Sequence, residues 1–284
     1  MRLEICHTLS YRYTAPVSFN PHLVRLQPLE NDRQKLKLYG LNVSPAPSYR
    51  YRIMAIDGST WEWIHFEAPS DYLTFETYTL IETRPWFFPP IVMDQLWSTS
   101  YYTEQEKLLL DPFIKNSLPH PELVAFATAI FAETGNRAMP FLRVLNERLS
   151  DRIRKESRQY GWPYPPLKTF RDGVGSCRDT AMLMVCLAQS VGFAARFVSG
   201  YIYDAQQAQN SELHAWTEIY VPRLGWVGFD PSYGVPVGEA HVALCASAFP
   251  KLCAPISGTF QGQVSEHHLE THVTMKEVVE EDPC

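Results

Sequence analysis

Over the first 84 residues apolar and polar positions alternate with a period of two, and beyond Pro121 the spacing lengthens to that of helices. This switch restricts the chain to an α+β fold in which an antiparallel β unit comes first. In Leu3-Ile5-His7-Leu9-Tyr11-Tyr13 the odd positions are apolar or aromatic, the pattern of a half-buried strand. It recurs in Leu36–Val43, Tyr49–Ile56 and Tyr72–Glu82. Asp57-Gly58, shortly before Trp61 and Trp63, marks a turn between strands, and Ser59 belongs to that turn. Residues 1–84 therefore read as an antiparallel β domain with no chemistry-bearing pattern.

Residues 85–118, opening on Pro-Trp-Phe-Phe-Pro-Pro, read as a linker or a loop over the domain junction. Pro121 suits the first position of a helix whose apolar face is Leu123, Phe126, Ile130 and Phe131 and which Gly135 ends. A second helix is expected from about Pro140 to Glu156, striped by Leu142, Leu145, Leu149 and Ile153. Residues 119–284 are taken together as the catalytic domain.

Composition narrows the function classes. A formal net charge of −6, with no run of Lys or Arg, argues against nucleic acid or an anionic membrane as the main partner. No stretch of about 18 apolar residues is present, so no membrane span is expected. The first residues lack an apolar h-region, and a cytoplasmic location is the expectation. Six cysteines, at 6, 177, 186, 245, 253 and 284, include no Cys-x-x-Cys pair and do not form a disulfide framework. Five read as buried or free thiols, and Cys177 stands apart.

Cys177 follows Gly173-Val-Gly-Ser176 and opens a helical pattern through Ala181, Met184, Leu187 and Val191 that Gly192 closes. Ser176 is a good N-cap, and Asp179 three residues on resembles a capping box with Asp in the Glu position. At the first helical position the dipole and the free backbone N–H groups favour a thiolate, the nucleophilic form. The backbone N–H of Cys177 is also placed to help hold an oxyanion. Strands at Ala195–Tyr203 and Leu213–Tyr220, a turn at Pro222–Gly225 and a strand at Trp226–Asp230 follow. If the last two form a hairpin, His214 and Asp230 fall nearly opposite each other. The carboxylate then fixes the imidazole tautomer while the other ring nitrogen faces the cysteine. Each residue alone has an ordinary structural explanation; their joint occurrence is what points to catalysis.

Four blocks, Gly-Ser-Cys-Arg-Asp-Thr-Ala (175–181), Gly-Phe-Ala-Ala-Arg-Phe-Val-Ser-Gly-Tyr (192–201), Leu-His-Ala-Trp-Thr-Glu-Ile-Tyr (213–220) and Gly-Trp-Val-Gly-Phe-Asp-Pro-Ser (225–232), resemble the bacterial transglutaminase-like superfamily. The N-terminal His-Thr-Leu-Ser-Tyr-Arg-Tyr and Arg-Leu-Gln-Pro stretches resemble the β domain that precedes this core in bacterial members. The resemblance implies a papain-like core in which Cys177 is the nucleophile, His214 the general base and acid, and Asp230 the orienting residue. Thr180 replaces the aromatic residue that many members carry after Cys-Arg-Asp, and Ser232 replaces the commoner threonine of Asp-Pro-Thr. No second oxyanion donor is assigned by spacing; Tyr160, Trp162 and Tyr164, in the loop before the cysteine, are candidates with simple packing as the alternative.

Other motifs carry less. Cys186, nine residues after Cys177, lies half a turn out of phase and reads as core. His268 and His272 have metal-ligand spacing on a helix, but the alternation after them indicates an approach to a final strand, so no metal and no cofactor are expected. Arg178 and Asp179, next to the nucleophile, are placed to tune its field, and capping and surface pairing explain them as well. The expected function is a cysteine hydrolase acting on a peptide or amide substrate through a thioester. The alternatives are a transamidase or acyl transferase, and a non-catalytic interaction module. No feature of the sequence reports the oligomeric state.

Overall fold

The computed structural model describes residues 1–86, 96–114, 120–158, 161–206, 209, 211–263 and 267–278. Its N-terminal part is built from β1 (Arg2–Phe19), β2 (His22–Val24), β3 (Gln34–Ser44), β4 (Tyr49–Met54), β5 (Thr60–His65) and β6 (Ser70–Thr83). The period-two alternation is satisfied by antiparallel pairing of β1 with β6, in which Leu3 faces Ile81 and Leu9 faces Phe75. All four side chains are buried, so the alternating residues form one inward face. The turn expected at Asp57-Gly58 connects β4 to β5, with Gly58 at positive φ.

The helical segment contains α1 (Glu104–Ile114), α2 (Pro121–Glu133) and α3 (Ala138–Arg152), then the two-residue β7 (Arg154–Lys155), α4 (Pro166–Asp172), β8 (Val174–Gly175) and α5 (Cys177–Ser190). Strands β9 (Ala194–Ile202), β10 (Leu213–Val221), β11 (Gly225–Asp230), β12 (Val235–Pro236) and β13 (His241–Ser247) form one antiparallel sheet in the order β12-β11-β10-β9-β13. Helix α5 packs on this sheet, where the Thr217 hydroxyl donates to the Ala181 carbonyl at 2.8 Å. The resulting core holds Phe141, Leu142, Leu145, Leu183, Leu187, Phe193, Ile219 and Phe229, all buried.

The chain ends in β14 (Ile256–Ser257), β15 (Phe260–Gln261) and β16 (His267–Glu277), which leave the core and pair with β2 and β1. Strand β1 has two edges, and the C-terminal strands pair along the one that β6 leaves open. In the 85–118 segment Trp97, Tyr102 and Leu110 are buried in the helical core, with Trp97 stacked 3.9 Å from Phe193. Residues 87–95 and 115–119 of that segment lie outside the described residues. The second helix stops at Arg152, before the expected Glu156, because the N–H groups of Arg154 and Glu156 donate to the carbonyls of Gly173 and Gly175. Strand pairing beside the cysteine outcompetes one further helical turn. His268 lies on β16, as the expected final strand requires, and is exposed.

Candidate active site

The approach to Cys177 is set locally. Gly173 ends α4 in the left-handed region, at φ 64°, which lets the chain turn into β8. Ser176 then caps α5, and Asp179 reciprocates as a capping box. The Asp179 Oδ2 accepts from the Ser176 N–H at 2.8 Å and from its hydroxyl at 2.7 Å. Its Oδ1 accepts from the Arg158 guanidinium and from the Tyr164 N–H, each at 2.6 Å. Burial alone would raise the Asp179 pKa, but these donors hold it below the usual carboxylate range. Asp179 is fully buried, which corrects the surface-pairing reading of this residue. It clamps the loop before the cysteine onto the start of α5.

That clamp also bears on the oxyanion candidates. Tyr164 spends its N–H on Asp179 and stacks its ring 3.9 Å from the Arg158 guanidinium. Trp162 is half exposed and lies 5.8 Å from the Lys251 ammonium. Tyr160 lies outside the described residues. Thr180, in place of an aromatic residue, is buried and bonds the Ser176 carbonyl at 3.2 Å.

The structure brings the three expected site residues together. Cys177 is half-buried at the first position of α5, and its side chain is near enough to His214 to help raise the imidazole pKa. His214 Nε2 lies 2.7 Å from Asp230 Oδ2, which leaves Nδ1 for the sulfur. The hairpin register pairs Thr217 with Phe229 and Val221 with Gly225. Continuing it places Asp230 beside Trp216, so His214 and Asp230 are diagonal neighbours rather than directly opposed. Diagonal neighbours on one face are about 7 Å apart at Cβ, within reach of an imidazole and a carboxylate. Asp230 is fully buried, and its Oδ1 accepts from the Ser232 N–H at 3.0 Å. The serine that replaces threonine thus contributes its backbone to the carboxylate.

The electrostatics follow from burial and pairing. Burial opposes a charge on His214, but Asp230 and then Cys177 outweigh it and push its pKa up to about 10. Burial opposes ionisation of Asp230 as well, and His214 and His241 overcome it and hold the carboxyl well below its ordinary range. An imidazolium–carboxylate pair beside a thiol is a proton-transfer unit for nucleophilic catalysis. Cys186 sits in the core on the far side of α5, where burial pushes its thiol up to about 11.

Three neighbours escaped the sequence reading. Tyr233 lies 5.5 Å from the His214 ring, and the Lys155 ammonium sits 3.0 Å above the Tyr233 ring. His241 Nε2 lies 3.2 Å from Asp230 Oδ2. None has a spacing signal, because they come from β7, the turn after β11 and β13. The Asp-Pro turn was the one local hint toward Tyr233.

Residues 125–231 match the transglutaminase-like superfamily, and residues 3–82 match the bacterial transglutaminase-like N-terminal region. The chain thus carries a transglutaminase-like superfamily core behind a bacterial transglutaminase-like N-terminal region, and the core is a cysteine-based catalytic fold. It is 25% identical over 279 residues to an uncharacterised protein of Mycobacterium leprae, covering 92% of this chain and 94% of that one. It is 24% identical over 264 residues to an uncharacterised protein of Mycobacterium tuberculosis, covering 86% and 82%. A crystal structure from Cytophaga hutchinsonii, of a protein provisionally named a cysteine protease, superposes with a TM-score of 0.71 at 14% identity, over 97% of this chain and 98% of that one. That likeness is one of fold.

Proposed function

We propose that this protein is a cysteine hydrolase that cleaves an amide or isopeptide bond through a Cys177–His214–Asp230 triad. The observation that carries the reading is the buried His214–Asp230 pair, with the imidazole 2.7 Å from the carboxylate and Cys177 beside it at the start of α5. The provisional name of the Cytophaga hutchinsonii protein agrees with it.

In this mechanism the proton of the Cys177 thiol is carried on His214 Nδ1 as the sulfur attacks the amide carbonyl. The tetrahedral oxyanion forms near the N-terminus of α5, where the Cys177 N–H has no intrahelical acceptor. As the C–N bond breaks, the imidazolium returns its proton to the leaving amine, leaving a thioester. His214 then deprotonates water, which attacks the thioester, and the departing thiolate regenerates the pair. Asp230 holds the tautomer and balances the imidazolium throughout. The substrate class is peptide or amide.

The test is an activity-based thiol probe on the full chain, followed by profiling of peptides and isopeptides with and without an amine acceptor. The expected result is labelling at Cys177 and release of amine that Cys177→Ala abolishes. Turnover that depends on the added amine and incorporates it would overturn hydrolysis in favour of acyl transfer. Turnover unchanged in Cys177→Ala would overturn both.

A further inference from the structure

Asp230 has a second imidazole on it. His241 opens β13, on the other side of β9 from the strand that carries His214, and is buried. The Gly238 N–H donates to His241 Nδ1 at 3.2 Å, so that nitrogen carries a lone pair. The proton of the neutral ring is therefore on Nε2, which lies 3.2 Å from Asp230 Oδ2. The same oxygen accepts from His214 Nε2 at 2.7 Å, and Oδ1 is held by the Ser232 N–H. Donors from β10, from β13 and from the turn after β11 thus immobilise one carboxylate.

His241 is itself held in place. Its ring meets the Trp216 indole edge-on at 5.3 Å. Trp216 reaches it across Gly200, where a Cβ would lie 2.5 Å from the indole and 2.1 Å from the Val242 carbonyl. The charged groups facing His241 are Asp230, His214 and Arg33. Burial, with the two cations, keeps its pKa below the ordinary value against the pull of Asp230, which agrees with a neutral donor.

We propose that His241 is a positioning residue that holds the Asp230 carboxylate in the plane His214 needs, through a neutral Nε2–H donated to Oδ2. The inference rests on the triad reading above. Without this donor the carboxylate keeps only the His214 and Ser232 bonds, and the orientation of the His214 ring towards the sulfur is less tightly fixed.

The experiment measures the rate at which iodoacetamide alkylates Cys177 from about pH 5 to 9, read by peptide mass spectrometry with the exposed Cys6 as internal reference. His241→Phe fills the space and packs on Trp216 but donates nothing; His241→Gln places an amide N–H near the lost Nε2–H. The expected result is a loss on the order of tenfold in the Cys177 rate at neutral pH for Phe, with Gln within about threefold of wild type. The Cys6 rate stays constant. A packing role predicts the reverse ranking, so Phe equal to or better than Gln overturns the proposal. If the Phe variant loses its cooperative melt, His241→Asn, whose shorter amide falls short of Asp230, is compared with Gln by the same ratio. His214→Ala separates the two levels of inference. If it leaves Cys177 as reactive as in wild type, the triad reading fails; if it collapses the rate while Phe does not, only the role of His241 fails.

Discussion

His214 and Asp230 meet diagonally across β10 and β11, with Nε2 2.7 Å from Oδ2 and both side chains buried. The offset places Asp230 at the very end of β11, where the Asp-Pro turn supplies a backbone donor to its other oxygen.

Asp230→Asn removes the charge that offsets the burial of the imidazole. The His214 pKa is then expected to fall from about 10 towards and below its ordinary value, since burial is the largest opposing influence. The His214 ring-proton NMR titration checks this. A midpoint unchanged by the substitution counts against the pair.

The pair also links stability to pH. The folded pKa of His214 is raised, so its contribution is fully present below about 6.5 and is lost as pH rises through about 10. The folded pKa of Asp230 is lowered, so its contribution is present above about 3.9 and is lost as pH falls towards its folded value. Urea unfolding across pH is expected to show both limbs in wild type. In His214→Gln the alkaline limb is expected to flatten.

Asp179→Ala removes the carboxylate that pairs with the Arg158 guanidinium and leaves the Ser176 cap without its reciprocal bond. Breaking a buried pair by removing one member costs about 3 kcal/mol. A comparable loss in the free energy of urea unfolding is expected, together with slower alkylation of Cys177 as Arg158 and Tyr164 lose their hold on the start of α5. Alkylation at the wild-type rate would show that the clamp serves stability alone.

Glu218, buried on β10, ties that strand to β9 and to the segment before β3. Arg196 donates to its Oε2 through Nε at 2.9 Å and an amino group at 2.7 Å, and Arg33 lies 3.3 Å from Oε1. Arg33 comes from the segment before β3 and lies 4.1 Å over the Trp86 ring. Glu218→Ala is expected to cost about 3 kcal/mol. Hydrogen exchange should speed up first near Arg33, and uniform exchange across the chain would contradict a local joint.

Gly200→Ala drives a methyl group against the Val242 carbonyl and the Trp216 indole. A loss of about 1–3 kcal/mol is expected from overpacking, read as a lower thermal midpoint. An unchanged midpoint would mean that Trp216 has room to move.

Much of the fold was legible because it rests on interactions within a few residues. Leu3, Ile5 and Leu9 alternate because strands do, and all three are buried. Ser176 and Asp179 announced a helix start because a capping box spans four residues, and the turn at Pro222–Gly225 announced the β10–β11 hairpin. Helix α3 was misjudged at its end because a pairing with Val174 and Gly175, some twenty residues on, decides where it stops.

The sequence by itself determined the order of elements, the helix-opening position of Cys177 and the hairpin that brings His214 near Asp230. Each depends on backbone propensity, side-chain period or capping within a short window. Only the tertiary structure decided the diagonal offset of that pair, the burial of Asp179, the return of β16 to β1 and the arrival of His241 on Asp230. These depend on which distant strands share an edge and which polar groups must find partners once water is excluded, and no local pattern encodes that choice.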